Sequence, residues 1–182
     1  MRHRVRRTAA VLIVAAILAA FVSPVLGQSR KLDADFDEAS MPWKEIESRI
    51  PSYPKASDLI RFDAGNASPH RFHVDAGSLS IGEDGVVRYT LVVMTAGGAR
   101  NVTFEGIHCR EREQKYYAVG HPDGSWARAR NSQWRRIEPA DVNAHHYVLY
   151  SMFLCSGNRP VRSVREIQDL LRRGPTINPA GG

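Results

Sequence analysis

The run of apolar and β-branched residues around Gly97-Gly98 constrains the fold of this chain more than any other segment. Two such runs joined by a glycine pair are typical of a β-hairpin with a two-residue primed turn. With both glycines at the centre of the turn, Met94 faces Asn101 across the hairpin. The sequence therefore predicts a central hairpin over about residues 86–109.

This register fixes which side chains share a face, because side chains alternate along a strand. One face is nearly all apolar, and we expect it to form the core. It carries Val87, Tyr89, Leu91 and Val93 opposite His108, Gly106, Phe104 and Val102. Tyr89 would then cover the bare backbone of Gly106. On the other face, Arg88 would lie diagonally next to Glu105, within reach for an ion pair.

Several motifs carry a family resemblance. The hairpin strands read Asp-Gly-Val-Val-Arg-Tyr-Thr-Leu-Val-Val and Gly-Ala-Arg-Asn-Val-Thr-Phe-Glu-Gly-Ile-His-Cys, and further motifs run from Phe36-Asp-Glu38 to Phe153-Leu-Cys155. Together they resemble the cryptic neisserial protein (CNP)-like family over most of the mature chain. His108 stands where the resemblance leads us to expect arginine. The resemblance implies a small exported bacterial protein with a domain of unknown function, and it brings no catalytic residues.

The N-terminal segment has the composition of a secretion signal. Arginines at the start precede an unbroken apolar run over residues 9–22, and small residues follow at a cleavage position that ends at Gly27. The run is short for a membrane span of about 20 apolar residues, so we expect cleavage after Gly27, with retention as an anchor as the alternative. We expect a periplasmic protein with no transmembrane span after cleavage.

Removal of the signal changes the charge of the chain. The full sequence has 25 Lys and Arg against 19 Asp and Glu, a net charge of +6. Four of the 25 basic residues and no acidic residue precede Gln28, which leaves 21 against 19 and a net charge of +2 for the mature chain. A high isoelectric point that comes largely from the signal does not indicate nucleic-acid binding, and no specific nucleic acid is expected as a partner.

Composition divides the chain into four predicted segments. They are a signal peptide over residues 1–27, a flexible lead-in over 28–41, an α+β domain over 42–176 and a disordered tail over 177–182. The mature length suits one domain with its own core.

Inside the domain, strand signals come first and helix signals last. Short strands are predicted over residues 59–63, 71–75, 78–81 and 115–119, in addition to the hairpin. A short helix is predicted from residue 42 to residue 49, and the C-terminal helix begins at a capping box of Ser163 and Glu166. The run over residues 142–154 fits a helix or a buried strand, and we favour the helix. This order predicts an α+β fold, an antiparallel sheet around the hairpin with C-terminal helices packed on it.

Cys109 and Cys155 are the two cysteines of the sequence. An exported location permits oxidation, and we predict that they form a disulfide rather than two buried thiols. Their wide separation and the absence of a Cys-x-x-Cys motif argue against a redox-active pair.

Four polar residues near the hairpin form the candidate catalytic cluster: Asp75, Asp84, Arg88 and Glu105. Paired carboxylates beside an arginine could perform acid–base chemistry, and this cluster is the basis of the alternative hypothesis of a periplasmic hydrolytic enzyme. Structural roles are favoured, because Asp84 opens a strand and Asp75 precedes a glycine turn. The sequence has no Gly-x-Ser-x-Gly elbow and no phosphate-binding loop, so we assign no catalytic residue.

The closely spaced candidate metal ligands diverge. These pairs are Glu105 and His108, His70 and His73, and His145 and His146. Residues three apart on a strand point to opposite faces, and adjacent residues diverge on a helix or a strand. A zinc site needs three or four convergent ligands, so we expect neither a metal nor another cofactor.

A basic and aromatic stretch forms the candidate binding surface. It comprises Trp126, Arg128, Arg130, Trp134, Arg135 and Arg136. Ordinary solvated surface is the alternative interpretation, but interleaved aromatic and basic residues also suit an anionic polymer. The favoured hypothesis is a non-catalytic cell-envelope binding module whose partner is an envelope protein or an anionic surface polymer.

Overall fold

The predicted hairpin lies in the middle of an antiparallel sheet. We describe the protein from a computed structural model, which describes residues 42–64, 68–139 and 144–174. Within these residues the sheet has seven strands, with β1 to β6 in chain order and β7 paired with β5. The strands are β1 (Leu59–Phe62), β2 (Arg71–Ile81), β3 (Val86–Met94), β4 (Arg100–His108), β5 (Glu113–Gly120), β6 (Trp126–Arg128) and β7 (Arg135–Arg136).

The helices follow the sheet in the chain, which confirms the predicted α+β fold. They are α1 (Ala144–Val148), a π-helical continuation (Leu149–Leu154) and α2 (Val164–Arg173). A 3-10 turn (Ala56–Asp58) precedes β1, and β8 (Cys155–Ser156) and β9 (Arg159–Pro160) form a small separate sheet. The helical interpretation of the 142–154 run is therefore confirmed over residues 144–154. At the start of α2, Ser163 Oγ accepts the backbone N–H of Glu166 at 3.2 Å, as the capping box predicts.

Two different layers cover the two faces of the sheet. The helices pack on one face, here called the helical face, and the main apolar core lies between them and Val87, Tyr89 and Leu91. Residues 42–55, here called the strap, cross the opposite face, here called the strap face. Both faces of β3 are therefore buried, and its residues 86–92 are all buried from solvent.

The hairpin register is shifted by one residue from the prediction. Met94 pairs with Arg100 rather than with Asn101, because the connection uses a different turn from the predicted one. Thr95 N–H donates to the carbonyl of Ala99 at 2.8 Å, and Gly98 adopts a positive φ of 85°. This geometry is a three-residue loop, residues 96–98, that ends in a left-handed glycine, the usual form of such a hairpin connection.

The shift exchanges the residues of β4 between the two faces. Val87, Tyr89 and Leu91 face the core as predicted, but their neighbours across the hairpin are Ile107, Glu105 and Thr103. Phe104 and Val102 are buried on the strap face instead.

Two predicted contacts are consequently wrong. Tyr89 lies opposite Glu105, and Gly106 is covered by Tyr117, whose hydroxyl lies 2.7 Å from where a Cβ of Gly106 would stand. Arg88 and Glu105 point to opposite faces of the sheet, so the predicted ion pair between them does not form. Gly106 is required here because no side chain fits beneath the Tyr117 ring.

The short helix predicted over residues 42–49 is absent, and this segment is the extended start of the strap. Side chains of the sheet form hydrogen bonds with backbone groups that a helix would have paired internally. The Ile46 N–H donates to Oδ2 of Asp84 at 2.9 Å, and the Ile46 carbonyl accepts a hydrogen bond from Nη2 of Arg88 at 2.9 Å. The strands predicted over 71–75 and 78–81 are also one strand, β2, with an irregularity in pairing between Asp75 and Ser80.

Cys109 and Cys155 form the predicted disulfide. The bond joins the residue after β4 to the residue after the π-helical segment, so it ties the helical layer to the sheet. The predicted signal peptide, lead-in and tail fall outside the described residues, which belong to one unit that begins at Pro42.

Candidate functional site

A groove of about 630 Å³ lies on the helical face beside the outer strands of the sheet. Its floor contains side chains from three adjacent strands, because the registers pair Thr103 with Val119 and Val119 with Ala127. Tyr116, which pairs with Glu105, completes the floor. Val119 is 43% exposed although it is a large apolar residue within a strand. The floor is therefore a mixed apolar and hydroxyl-bearing surface that is open to solvent.

The rim of the groove is basic. Arg128, Arg130 and Arg135 line it together with His121, and all four residues are exposed. Arg128 also borders a pocket on the strap face that Glu45 and Glu47 line. Among the described residues that line the groove, none is an aspartate or glutamate. Arginine presents a planar fork of donors that suits carboxylate, sulfate and phosphate groups. The groove is consequently a surface that can attract and orient an anion.

A buried carboxylate lies directly behind the groove floor. Glu105 is fully buried, and its Oε1 accepts the hydroxyl of Thr103 at 2.5 Å. Its Oε2 accepts the Tyr89 hydroxyl at 3.0 Å and lies 2.9 Å from Nε2 of His146. An ionised carboxylate only accepts hydrogen bonds, so Nε2 of His146 carries the proton in this contact.

The surroundings of Glu105 keep it charged. Burial opposes ionisation, but His146 and the hydrogen bonds from His146 and Thr103 outweigh it and lower the pKa of Glu105 below its usual value. Burial, together with the charge of Glu105, raises the pKa of Tyr89 well above its usual value. Because Glu105 has no exposed surface and three donors occupy it, it positions Thr103 and His146 and cannot reach a ligand in the groove.

Asp84 and Arg88 form a second charged cluster, on the strap face. Their side chains make two contacts, Nη2 to Oδ2 at 2.6 Å and Nη1 to Oδ1 at 3.1 Å, with side-chain exposures of 7% for Arg88 and 1% for Asp84. Burial opposes ionisation of Asp84, but the hydrogen bonds from Arg88 and from the backbone N–H of Ile46 lower its pKa. The Trp43 indole N–H also donates to the Asp84 carbonyl at 2.8 Å. This cluster fastens the strap to the sheet.

The structure therefore divides the four residues of the predicted catalytic cluster. Asp84 and Arg88 are together, whereas Glu105 lies on the other face of the sheet. Asp75 is buried at the middle of β2, where it pairs with Thr90. Because Arg88 and the strap occupy the Asp84 carboxylate, the arrangement does not resemble a pair of carboxylates that converge on a substrate.

The predicted basic and aromatic surface is divided in the same way. Arg128, Arg130 and Arg135 line the groove, but Trp126 contacts Tyr53 of the strap at 5.4 Å between ring centroids. Trp134 donates to Glu45 of the strap at 3.1 Å. The two tryptophans thus help to hold the strap, and they do not line the groove.

Arg136 lies outside the groove lining as well. Its Nε forms an ion pair with Glu138 at 3.2 Å, and both side chains are more than half exposed. A pair of this kind in solvent contributes little to stability.

Comparison with known proteins places this sequence in a family. A family model described as the CNP1-like family matches residues 38–172, which is most of the chain. The chain belongs to the CNP1-like family. It is also similar to Cryptic neisserial protein 1 of Neisseria gonorrhoeae (strain ATCC 700825 / FA 1090), with 27% identity over 161 residues that cover 79% of each chain. No solved structure matches the chain.

The match of the CNP1-like family covers both clusters and the groove, since its limits enclose every described strand and both ends of the groove lining. Sequence reasoning identified the groove arginines but missed Thr103, Tyr116 and His121, which line it beside them. The alternation of β4 and β5 could have indicated the first two, once the register was correct.

Two kinds of feature are absent from the described part of this CNP1-like chain. Across residues 42–64, 68–139 and 144–174, no three His, Cys, Asp or Glu residues lie close enough to hold a metal ion together. Over the same ranges, no helix has the length and apolar character needed to cross a bilayer.

Proposed function

We propose that this CNP1-like protein is exported to the periplasm and acts there as a non-catalytic binding module for an anionic polymer of the cell envelope. The groove beside β4, β5 and β6 is the binding site in this proposal. One observation carries it: Arg128, Arg130 and Arg135 surround a groove of about 630 Å³ whose described lining contains no acidic residue.

Long-range attraction and short-range contact support the choice of ligand. Exposed arginines along a described groove lining without carboxylates raise the local concentration of anionic groups and speed their encounter, and Arg130 and Arg135 supply this charge without the neighbouring Glu45 and Glu47 that Arg128 has on the strap face. On the floor, Tyr116 and the exposed Val119 offer an amphipathic surface on which a sugar ring or another backbone unit can pack. An open groove rather than a closed cavity suits an extended chain that continues beyond both ends of the site.

The proposal of export is supported by the N-terminal sequence and the cysteine pair. A basic start, an apolar run over residues 9–22 and small residues before Gln28 are typical of a cleaved signal. The Cys109–Cys155 disulfide is compatible with an oxidising compartment such as the periplasm.

Binding to a matched pair of polymers tests the groove. Titration of the mature protein with dextran sulfate and with unmodified dextran should give saturable binding of the sulfated polymer alone, and affinity should fall as salt concentration rises. Replacing Arg128, Arg130 and Arg135 with glutamine should weaken binding at least tenfold. The control variant has Arg110, Arg159 and Arg165 replaced with glutamine. These residues are exposed and lie outside the groove, and their replacement removes the same amount of charge.

Equal loss in both triple variants would show that net charge rather than the groove determines binding, and it would overturn the proposal. The proposal would also be overturned if the groove bound an envelope protein and dextran sulfate did not bind. Export is tested separately, by mass spectrometry of the N-terminal peptide of the full chain recovered from the periplasmic fraction of a bacterial host. The expected first residue is Gln28, and an intact Met1 in the cytoplasmic fraction would contradict export.

A further inference from the structure

The pocket that Arg128 borders on the strap face has a volume of about 320 Å³ and lies between the strap and the outer strands β5 and β6. Its size is at the lower end of the range of about 300–1,000 Å³ that is usual for small-molecule sites. Strap residues 45–48 and Ile50 form one wall, and residues of β5, of β6 and of the segment after β6 form the other. The two walls are far apart in sequence, so only the folded chain forms the pocket.

The strand registers direct the side chains of the sheet wall towards the strap. Tyr117 covers Gly106 on the strap face, and Lys115, two residues before Tyr117, pairs with the same glycine. Arg128 lies two residues after Trp126, which contacts the strap. Because side chains two residues apart on a strand share a face, Arg128 also projects from the strap face. The three long side chains of this wall therefore face one space.

The strap directs two glutamates towards that space. Oε2 of Glu45 lies 2.8 Å from Nζ of Lys115 and accepts the indole N–H of Trp134 at 3.1 Å, so this side chain points to the sheet. Residues two apart in an extended chain project to the same side. Glu47 accordingly lines the pocket beside Glu45, whereas Ile46 between them is 46% exposed.

The pocket contains one pair of charges that neutralise each other and one pair that do not. Burial opposes ionisation of Glu45, but hydrogen bonds from Lys115 and its other neighbours lower its pKa. Glu47 and Arg128 are exposed, and neither takes part in an ion pair with any residue that the structure describes. A carboxylate and a guanidinium that line one pocket without pairing match a ligand that carries both an ammonium and a carboxylate.

The strap backbone and a small apolar surface complete the lining. In the described part of the chain, the backbone N–H and carbonyl groups of Glu47 and Ser48 form no hydrogen bond. An extended backbone with unpaired groups can bind the main chain of an extended peptide. Ile50 and Ala129 offer contact to a small apolar side chain. Because a free amino acid has no amide to pair with the strap, these contacts favour a peptide.

We propose that this pocket binds a short zwitterionic peptide of about two residues with small apolar side chains. The ammonium of the peptide meets Glu47, its carboxylate meets Arg128 through paired N–H···O contacts, and its amide pairs with the strap backbone. The proposal does not depend on the polymer-binding function. Free amino acids carry the same two charged groups, but closer together and without an amide between them.

Calorimetry on the mature protein tests the proposal with four probes: alanyl-alanine, N-acetyl-alanyl-alanine, alanyl-alanine amide and free alanine. Alanyl-alanine should bind saturably and at least tenfold more tightly than each of the others. N-acetylation removes the ammonium, amidation removes the carboxylate, and alanine lacks the amide, so each probe tests one of the three contacts.

Two variants assign the charged groups of the peptide to residues of the pocket. Glu47→Gln should bind alanyl-alanine and its N-acetyl form equally weakly, and Arg128→Gln should bind alanyl-alanine and its amide equally weakly. The matched controls are Glu111→Gln and Arg110→Gln, which change exposed residues outside the pocket lining. Both controls should bind alanyl-alanine within twofold of the unmodified protein.

Further arms separate this pocket from the groove, because Arg128 borders both. Glu47→Gln should retain the binding of dextran sulfate, and replacing Arg130 and Arg135 with glutamine should leave alanyl-alanine binding within twofold of the unmodified protein. Binding of free alanine or of a blocked dipeptide as tightly as alanyl-alanine would overturn the proposal. Equal loss in the matched controls, or no saturable binding of alanyl-alanine, would overturn it as well.

Discussion

Each face of the sheet buries a carboxylate with a side-chain partner, and the two pairs are built differently. On the strap face, Asp84 and Arg88 are four residues apart in the chain, and they bind the backbone of Ile46 as well as each other. On the helical face, Glu105 and His146 are 41 residues apart and come together only when α1 packs on the sheet. The first pair forms between residues close in the chain and binds the strap, whereas the second pair forms only in the complete fold.

The largest effect is expected from breaking the pair on the helical face. Glu105→Leu should reduce the free energy of unfolding by about 3–5 kcal/mol, because His146, Tyr89 and Thr103 lose their buried acceptor. Urea denaturation followed by tryptophan fluorescence measures this. Glu105→Leu combined with His146→Leu should recover part of the loss, since a leucine replaces the histidine that has lost its acceptor, whereas the buried Tyr89 hydroxyl stays unpaired. A single-variant loss below about 1 kcal/mol would contradict the assignment.

The second largest effect is expected from removal of the disulfide, since the bond ties the helical layer, which carries His146, to the sheet. Replacing Cys109 and Cys155 with serine should cost about 2–4 kcal/mol, because the unfolded chain is no longer closed across a separation of 46 residues. Denaturation of the variant and of the unmodified protein under reductant should give the same midpoint. An unchanged midpoint after reduction would show that the bond adds no stability.

On the strap face, the effect should be smaller and more local. Asp84→Asn removes the charge that holds Arg88 and Ile46, and we expect a loss of about 1–3 kcal/mol. Hydrogen exchange should accelerate over residues 42–55 before the helices exchange. Glu138→Gln, which breaks the exposed pair with Arg136, is the control and should change stability by less than about 0.5 kcal/mol. Uniform acceleration across the whole sheet would argue against a separately held strap.

The same contrast explains how much of the fold could be predicted. The hairpin, the capping box at Ser163 and the disulfide rest on local signals or on the two cysteines available, and each is present. The one-residue register error arose because Gly97-Gly98 fits a two-residue turn and also a three-residue loop with Gly98 left-handed. The glycine pair is compatible with both forms. A change from one form to the other moves every side chain of β4 to the opposite face of the sheet.

The candidate sites were harder to predict for a related reason. A glutamate within a strand reads as a surface residue, and only the packing of His146 onto Glu105 reveals it as buried. The groove arginines were recognised from composition, but the separation of Arg130 and Arg135 from Trp126 and Trp134 depends on which strand faces the strap covers, and Arg128 shares its face of β6 with Trp126. The helix predicted over residues 42–49 is absent for the same reason. Side chains of the sheet form hydrogen bonds with the backbone N–H and carbonyl of Ile46, and the local sequence pattern does not indicate these long-range contacts.

The smallest effect concerns pH and a buried histidine on the strap face. His108, on the strap face, is 3% exposed and stacks on Trp43 at 4.4 Å, and burial lowers its pKa although Glu111, Glu113 and Asp84 oppose the shift. The native state therefore binds this proton less readily than the unfolded chain.

Stability from His108 is complete above the ordinary histidine pKa of about 6.5 and is lost as pH falls from there towards the lowered folded value, by at most about 1.4 kcal/mol per pH unit. His73 contributes in the same window and direction. The lowered pKa values of Glu105 and Asp84 instead give stability that is lost only as pH falls below about 4.5. His108→Phe, which keeps an aromatic ring beside Trp43, should reduce the slope of the stability profile between about pH 6.5 and pH 5 to the part that His73 supplies, and it should leave the loss below about pH 4.5 unchanged. If urea denaturation across this range gave the same slope for His108→Phe as for the unmodified protein, the buried ring of His108 would not be a source of acid sensitivity on the strap face.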